Sequence, residues 1–120
     1  MKTILVVEDE YDLLQTICAT LEIGGYRPVP VGNGKAALQM FEAAHPDLLL
    51  TDVMMPYMSG YELVKAIRQL PGGDLPTVLM SAIDPGQHPQ DGEWDCVLPK
   101  PFSLDELLST VESLVGQDQA

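Results

Sequence analysis

The sequence predicts an α/β fold, a doubly wound five-stranded parallel sheet in the order 2-1-3-4-5. Three observations predict it. Short runs that are apolar throughout alternate with stretches whose apolar residues repeat at helical spacing, the pattern of successive βα units. Strands with no polar alternation are buried on both faces, which requires a parallel sheet covered by helices. One strand carries Pro28 and Pro30, and proline cannot donate to a ladder, so that strand belongs on an edge. Right-handed crossovers leave few orders open, and 2-1-3-4-5 puts the second strand outermost.

In chain order, the first strand is "TILVVE" (3–8). Leu13, Leu14, Ile17, Cys18 and Leu21 then mark a helix that Gly24-Gly25 stops. "YRPVPV" (26–31) is the proline-bearing strand. Ala36, Ala37, Met40, Phe41 and Ala44 form the second helix, with Asn33 as N-cap and Pro46 just beyond its end. "DLLLTD" (47–52) is the third strand. "SGYELVKAIRQL" (59–70) opens with Ser59-x-x-Glu62, a capping box, and buries Leu63, Val64, Ile67 and Leu70. After the loop "PGGDLP" come the fourth strand, "PTVLMSA" (76–82), and a fifth, "DCVLP" (95–99). "SLDELLSTVESLV" (103–115) starts with a second capping box, Ser103-x-x-Glu106, and carries the stripe Leu104, Leu107, Leu108, Val111, Leu114 and Val115. The exception is "IDPGQHPQDGEWD" (83–95), where a fourth helix should stand. Its prolines and glycines and its lack of apolar period predict at most one helical turn. A degraded fourth helix in a mobile loop is the expectation.

A chain of 120 residues suits a single domain, 1–120. It buries roughly two thirds of its unfolded surface and needs no covalent staple. Cys18 and Cys96 show neither disulfide nor zinc spacing. The net charge of −12 repels nucleic acid and anionic membrane, so direct binding to either is not expected. The apolar run after Lys2 is too short for a signal peptide or a membrane span. The expected location is the cytoplasm.

Ligands of parallel α/β sheets lie beyond the carboxyl ends of the strands. Those ends carry Glu8 and Asp9, Asp52, Ser81 and Lys100. Polar strand ends are common, and Asp52 alone reads as a satisfied turn residue. Five polar residues at one end of one sheet are a more specific signal. Two carboxylates about 4 Å apart repel by roughly 4 kcal/mol at an effective dielectric near 20, so three need a cation. Oxygen ligands without soft ones select Mg²⁺. Lys100 brings a second positive charge, whose plainest role is to neutralise the acids. Together with the Ser81 hydroxyl these groups suit an anion, and the Asp52 carboxylate is a type of covalent phosphoryl acceptor.

The stretches "VVEDE", "PDLLLTDVMMPYMSGYEL", "SA" and "KPF" resemble the receiver domain of bacterial two-component response regulators, a flavodoxin-like fold. The resemblance covers nearly the whole chain and is weakest over 83–95. It implies that Asp52 is the phospho-acceptor, reached by a donor at an exposed strand end. It implies that Glu8 and Asp9 bind Mg²⁺, with Asp9 the direct ligand and Met54 contributing its backbone carbonyl. Ser81 would contact the phosphoryl group, Ala82 would keep access open, and Lys100 would bind the phosphoryl oxygens ahead of a cis bond to Pro101. The implied partners are a histidine kinase or phosphotransfer protein, a downstream target, and, among allowed partners, a second copy of the chain. The implied activity is that of a phosphorylation-controlled switch that takes on and loses its own phosphoryl group, not of a turnover enzyme.

Departures from the family pattern fall in the switch region, Ser81, Trp94 and Val97. Val97 stands where an aromatic is usual, and Tyr57 where glycine is common. The interval from Ser81 to Lys100 is a few residues short. Trp94 reads as a loop anchor on the core edge. These departures sustain an alternative, a receiver-like interaction module that works without phosphorylation. A hydrolase with an aspartyl nucleophile fits less well, because Met54 occupies the position of its second acid.

Overall fold

In the computed structural model, which describes residues 1–89 and 92–116, strands β1 (Thr3–Val7), β2 (Arg27–Val31), β3 (Leu48–Asp52), β4 (Thr77–Ser81) and β5 (Cys96–Pro99) form one sheet. All four pairings are parallel and the order is β2-β1-β3-β4-β5. This is the order predicted from the sequence, with the Pro28 and Pro30 strand at an edge. The helices are α1 (Tyr11–Ile23), α2 (Gly34–Ala44), α3 (Gly60–Arg68) and α4 (Leu104–Val115).

The sheet separates two cores. Ile4, Val6, Leu48, Leu50, Val78, Met80 and Leu98 pack with Leu14, Ile17 and Leu21 of α1 and Leu107 and Val111 of α4. Their strand neighbours Leu5, Val7, Leu49 and Leu79 pack with Ala37 and Phe41 of α2 and Leu63, Val64 and Ile67 of α3. Alternate strand residues therefore serve opposite faces, and burial of each large side chain contributes about 1.5–3 kcal/mol. Helix starts are fixed locally. The Asn33 side chain accepts from Ala36 N–H at 2.8 Å, and both predicted capping boxes form, Ser59 with Glu62 and Ser103 with Glu106. Some predicted core positions are exposed. Leu70 lies past the end of α3, while Met40 and Leu104 face solvent on their helices.

Between β4 and β5 stands only a 3₁₀ turn, Pro85–Gln87, so the degraded helix is confirmed and the label α4 falls on the last helix. Gln90 and Asp91 of this stretch, and 117–120 of the predicted domain, lie outside the described residues. The described remainder of the segment is anchored at a few points. His88 is buried, and Trp94 packs at the edge of the core with Tyr61 and Ile83, as expected of a loop anchor. Arg68, in the last turn of α3, replaces the missing helix as a fastener. Its guanidinium donates to the Gly73 and Leu75 carbonyls at 2.6 and 3.0 Å, to Thr77 Oγ1 at 3.1 Å and to the Glu93 carbonyl. It also pairs with the Glu93 and Asp95 carboxylates at 3.7 and 4.0 Å.

Candidate functional site

The strand register brings the polar residues level. Val7 pairs with Thr51, Asp52 with Met80 and Ser81 with Pro99. Each ladder continues one bond past its strand. Glu8 N–H donates to the Val31 carbonyl, Val53 N–H to Met80 and Lys100 N–H to Ser81, at 3.2, 3.1 and 2.8 Å. Glu8, Asp52 and Lys100 thus inherit the precision of the sheet. Gly60 holds the loop after β3 close. A Cβ there would lie 2.3 Å from the Asp52 carbonyl oxygen, and Gly60 N–H donates to Val53 at 2.8 Å.

Glu8, Asp9 and Asp52 each offer an oxygen, and these oxygens lie within 4.8 Å of one another. Lys100 Nζ sits 2.8 Å from Glu8 Oε1 and 3.3 Å from Asp52 Oδ2. Burial alone would lower the Lys100 pKa, but the Glu8 hydrogen bond and the Asp52 charge outweigh it and raise it. Glu8 is buried, with its second oxygen accepting from Glu10 N–H at 3.1 Å. Asp52 is only 6 % exposed, and its Oδ1 accepts from Val53 N–H at 2.9 Å. This corrects the expected exposed strand end: the carboxylate is buried, with the Val53 amide on one oxygen and the Lys100 ammonium beside the other. Asp9 is the exposed member of the three. Three carboxylates against one ammonium leave two negative charges, the complement of a divalent ion. The Met54 carbonyl accepts no hydrogen bond among the described residues, so its lone pairs are available to a hard cation. The carboxylate oxygens of Glu8, Asp9 and Asp52 are hard donors that fit Mg²⁺.

The Ser81 hydroxyl accepts from Ile83 N–H at 2.9 Å, and Ala82 beside it is exposed. The Lys100-Pro101 bond is cis. Tyr57 has φ +70 and is fully exposed, a left-handed backbone that favours glycine. Val97 and Trp94 do not join the carboxylate cluster; both pack against the α2–α3 core. No sequence signal marked the roles of His88, Tyr61 and Arg68. His88 sits among residues that read as turn, Tyr61 as an ordinary helix residue, and Arg68 as a surface base at a helix end.

Three clustered acids and a lysine at the carboxyl end of a parallel 2-1-3-4-5 sheet define an α/β domain with a charged strand-end site. The chain belongs to the response regulator receiver domain family, whose model matches residues 4–112. It is 36% identical to response regulator MprA of Mycobacterium ulcerans (strain Agy99) over 115 residues, which is 93% of this chain and 49% of that protein. The chain thus spans about half the length of the curated relatives it matches. Among solved structures it is similar to chemotaxis protein CheY4 of Vibrio cholerae, with TM-score 0.90 and 30% identity over 95% of this chain and 98% of that one. It is also similar to response regulator TrrA of Thermotoga maritima in complex with Mg²⁺-BeF, with TM-score 0.86 and 32% identity over 95% and 99% of the two chains. Among the described residues no helix is long and apolar enough to cross a membrane.

Proposed function

We propose that this domain accepts a phosphoryl group on Asp52 from a histidine kinase or phosphotransfer protein and works as a phosphorylation-controlled switch toward a downstream target in the cytoplasm. The observation that carries this reading is the cluster of Glu8, Asp9 and Asp52 with Lys100 bridging two of them. The TrrA complex, which holds Mg²⁺ and a beryllofluoride group, supports an ion and a phosphoryl-like group in this kind of site. Asp52 would attack phosphorus through a carboxylate oxygen, and the donor would leave with the electron pair of its bond to phosphorus. Lys100 is positioned to move its hydrogen bond from the carboxylates to a phosphoryl oxygen, and the Ser81 hydroxyl to donate to another. Mg²⁺, held by Asp9, Asp52 and the Met54 carbonyl, would supply neutralisation of the charge gathered there. The single domain serves as acceptor and not as a turnover enzyme. The alternative, an interaction module independent of phosphorylation, rests on departures at 83–95 and Val97, and these lie apart from the carboxylates.

Intact-mass spectrometry after incubation with acetyl phosphate tests the reading. One phosphoryl group is expected with Mg²⁺ and none with a chelator. Asp52→Asn should carry none, and equal labelling of that variant would contradict the assignment.

A further inference from the structure

We propose that His88 and Tyr61 carry a change at Ser81 to helix α3, with the Trp94 ring as the third member of the link. The inference rests on Asp52 being a phosphoryl acceptor, because recruitment of the Ser81 hydroxyl by a new anion is the event transmitted. That hydroxyl is not a free rotor. It accepts from Ile83 N–H at 2.9 Å, so displacing the oxygen either drags the Ile83 amide or releases it. Ile83 leads into the Pro85–Gln87 turn, closed by a bond from Gln87 N–H to the Asp84 carbonyl at 2.9 Å. This short spacer ends at His88.

His88 is 7% exposed. Its Nδ1 is hydrogen-bonded to the Tyr61 hydroxyl at 2.5 Å, and its Nε2 has no partner among the described residues. Among the described residues Tyr61 is therefore the ring's one polar tether. Trp94 lies against both, with ring centroids 5.3 Å from Tyr61 and 6.4 Å from His88. Arg68 holds the far end of the segment at Glu93 and Asp95, so movement entering at Ile83 is not absorbed there. Tyr61 is one residue past Gly60, which touches the backbone of Asp52. The link thus closes a circuit from the acceptor loop through α3 and the rings to Ser81. Val97 offers no comparable path, being β-branched and stiff at χ1 and paired with Leu79 in the sheet.

Trp94 is the only tryptophan, so its emission reports on this contact. With Mg²⁺ and acetyl phosphate, wild type should shift in emission in step with the phosphoryl adduct followed by mass. Tyr61→Phe and His88→Phe keep a ring in place and remove the hydrogen bond. Both are expected to take up phosphate as wild type does and to lose most of the shift, while Val97→Ala keeps it. If one ring variant fails to fold by circular dichroism, the other decides. A full shift in the ring variants, or its loss in Val97→Ala alone, would overturn the proposal. So would an adduct on wild type with no change in emission. Absence of any adduct on wild type would instead overturn the acceptor reading, and this inference with it.

Discussion

The absence of a side chain at Gly60 is as important to the site as any charge. A Cβ there meets the Asp52 carbonyl at 2.3 Å and the Val53 Cα at 2.9 Å, both backbone atoms that cannot swing away. Gly60→Ala is therefore expected to cost about 2–3 kcal/mol, at the upper end of ordinary point mutations, and denaturant titration would measure it. Lys100 makes the second residue-scale prediction. Removing one partner of a buried ion pair costs about 3–5 kcal/mol. Because Lys100 is 22% exposed, about 2 kcal/mol is expected for Lys100→Met. Its pKa is raised in the folded state, by the Glu8 hydrogen bond and the Asp52 charge acting against burial. The stability it contributes is therefore fully present below its unfolded value, about 10.4, and is lost as pH rises through the folded value. The gap between wild type and Lys100→Met should narrow above that pH. Burial raises the Tyr61 hydroxyl as well, but this is common to both proteins and cancels. Desolvation, with the nearby Glu22 charge adding, pushes the Cys18 thiol up to about 11, so it should resist thiol reagents until the fold opens.

At the scale of elements, apolar periodicity located every strand and helix, because each must bury a face and the period is set by its geometry. Both capping boxes and the Asn33 cap were legible for the same reason: their partners lie three residues away. The segment 83–95 was legible only in part. Its missing stripe correctly excluded a helix, yet its fastening depends on Arg68, Tyr61 and Thr77, which are distant in sequence. No local pattern announces a guanidinium that will reach a carbonyl 25 residues on. Arg68→Ala removes the guanidinium donor from the Gly73 and Glu93 carbonyls, at about 1–3 kcal/mol for a group left unsatisfied. The expected result is a loss of roughly 2–3 kcal/mol, with faster hydrogen exchange at the start of β5. Unchanged exchange there would mean that ring packing alone holds the segment.

For the whole molecule, the sheet acts as a ruler that brings residues from the ends of β1, β3, β4 and β5 to one end of the sheet, and the polar strand ends made that convergence readable in the sequence. The sequence did not reveal the burial of Asp52, nor that Lys100 bridges it to Glu8, since both depend on side-chain packing across the strand ends. If Asp9 and Asp52 hold the ion, folding and Mg²⁺ are linked. Binding to the folded state at a hundredfold excess over Kd adds about 2.7 kcal/mol, on the order of 10 °C in Tm for a domain of this size. Asp9→Ala should abolish most of that rise. The central claim is that Asp52 itself becomes phosphorylated. Borohydride trapping after acetyl phosphate and Mg²⁺ treatment, followed by peptide sequencing in the mass spectrometer, reads the modified carboxylate directly. The modification is expected on Asp52 alone; finding it on Asp9 or Glu8, or on no carboxylate, would contradict the account.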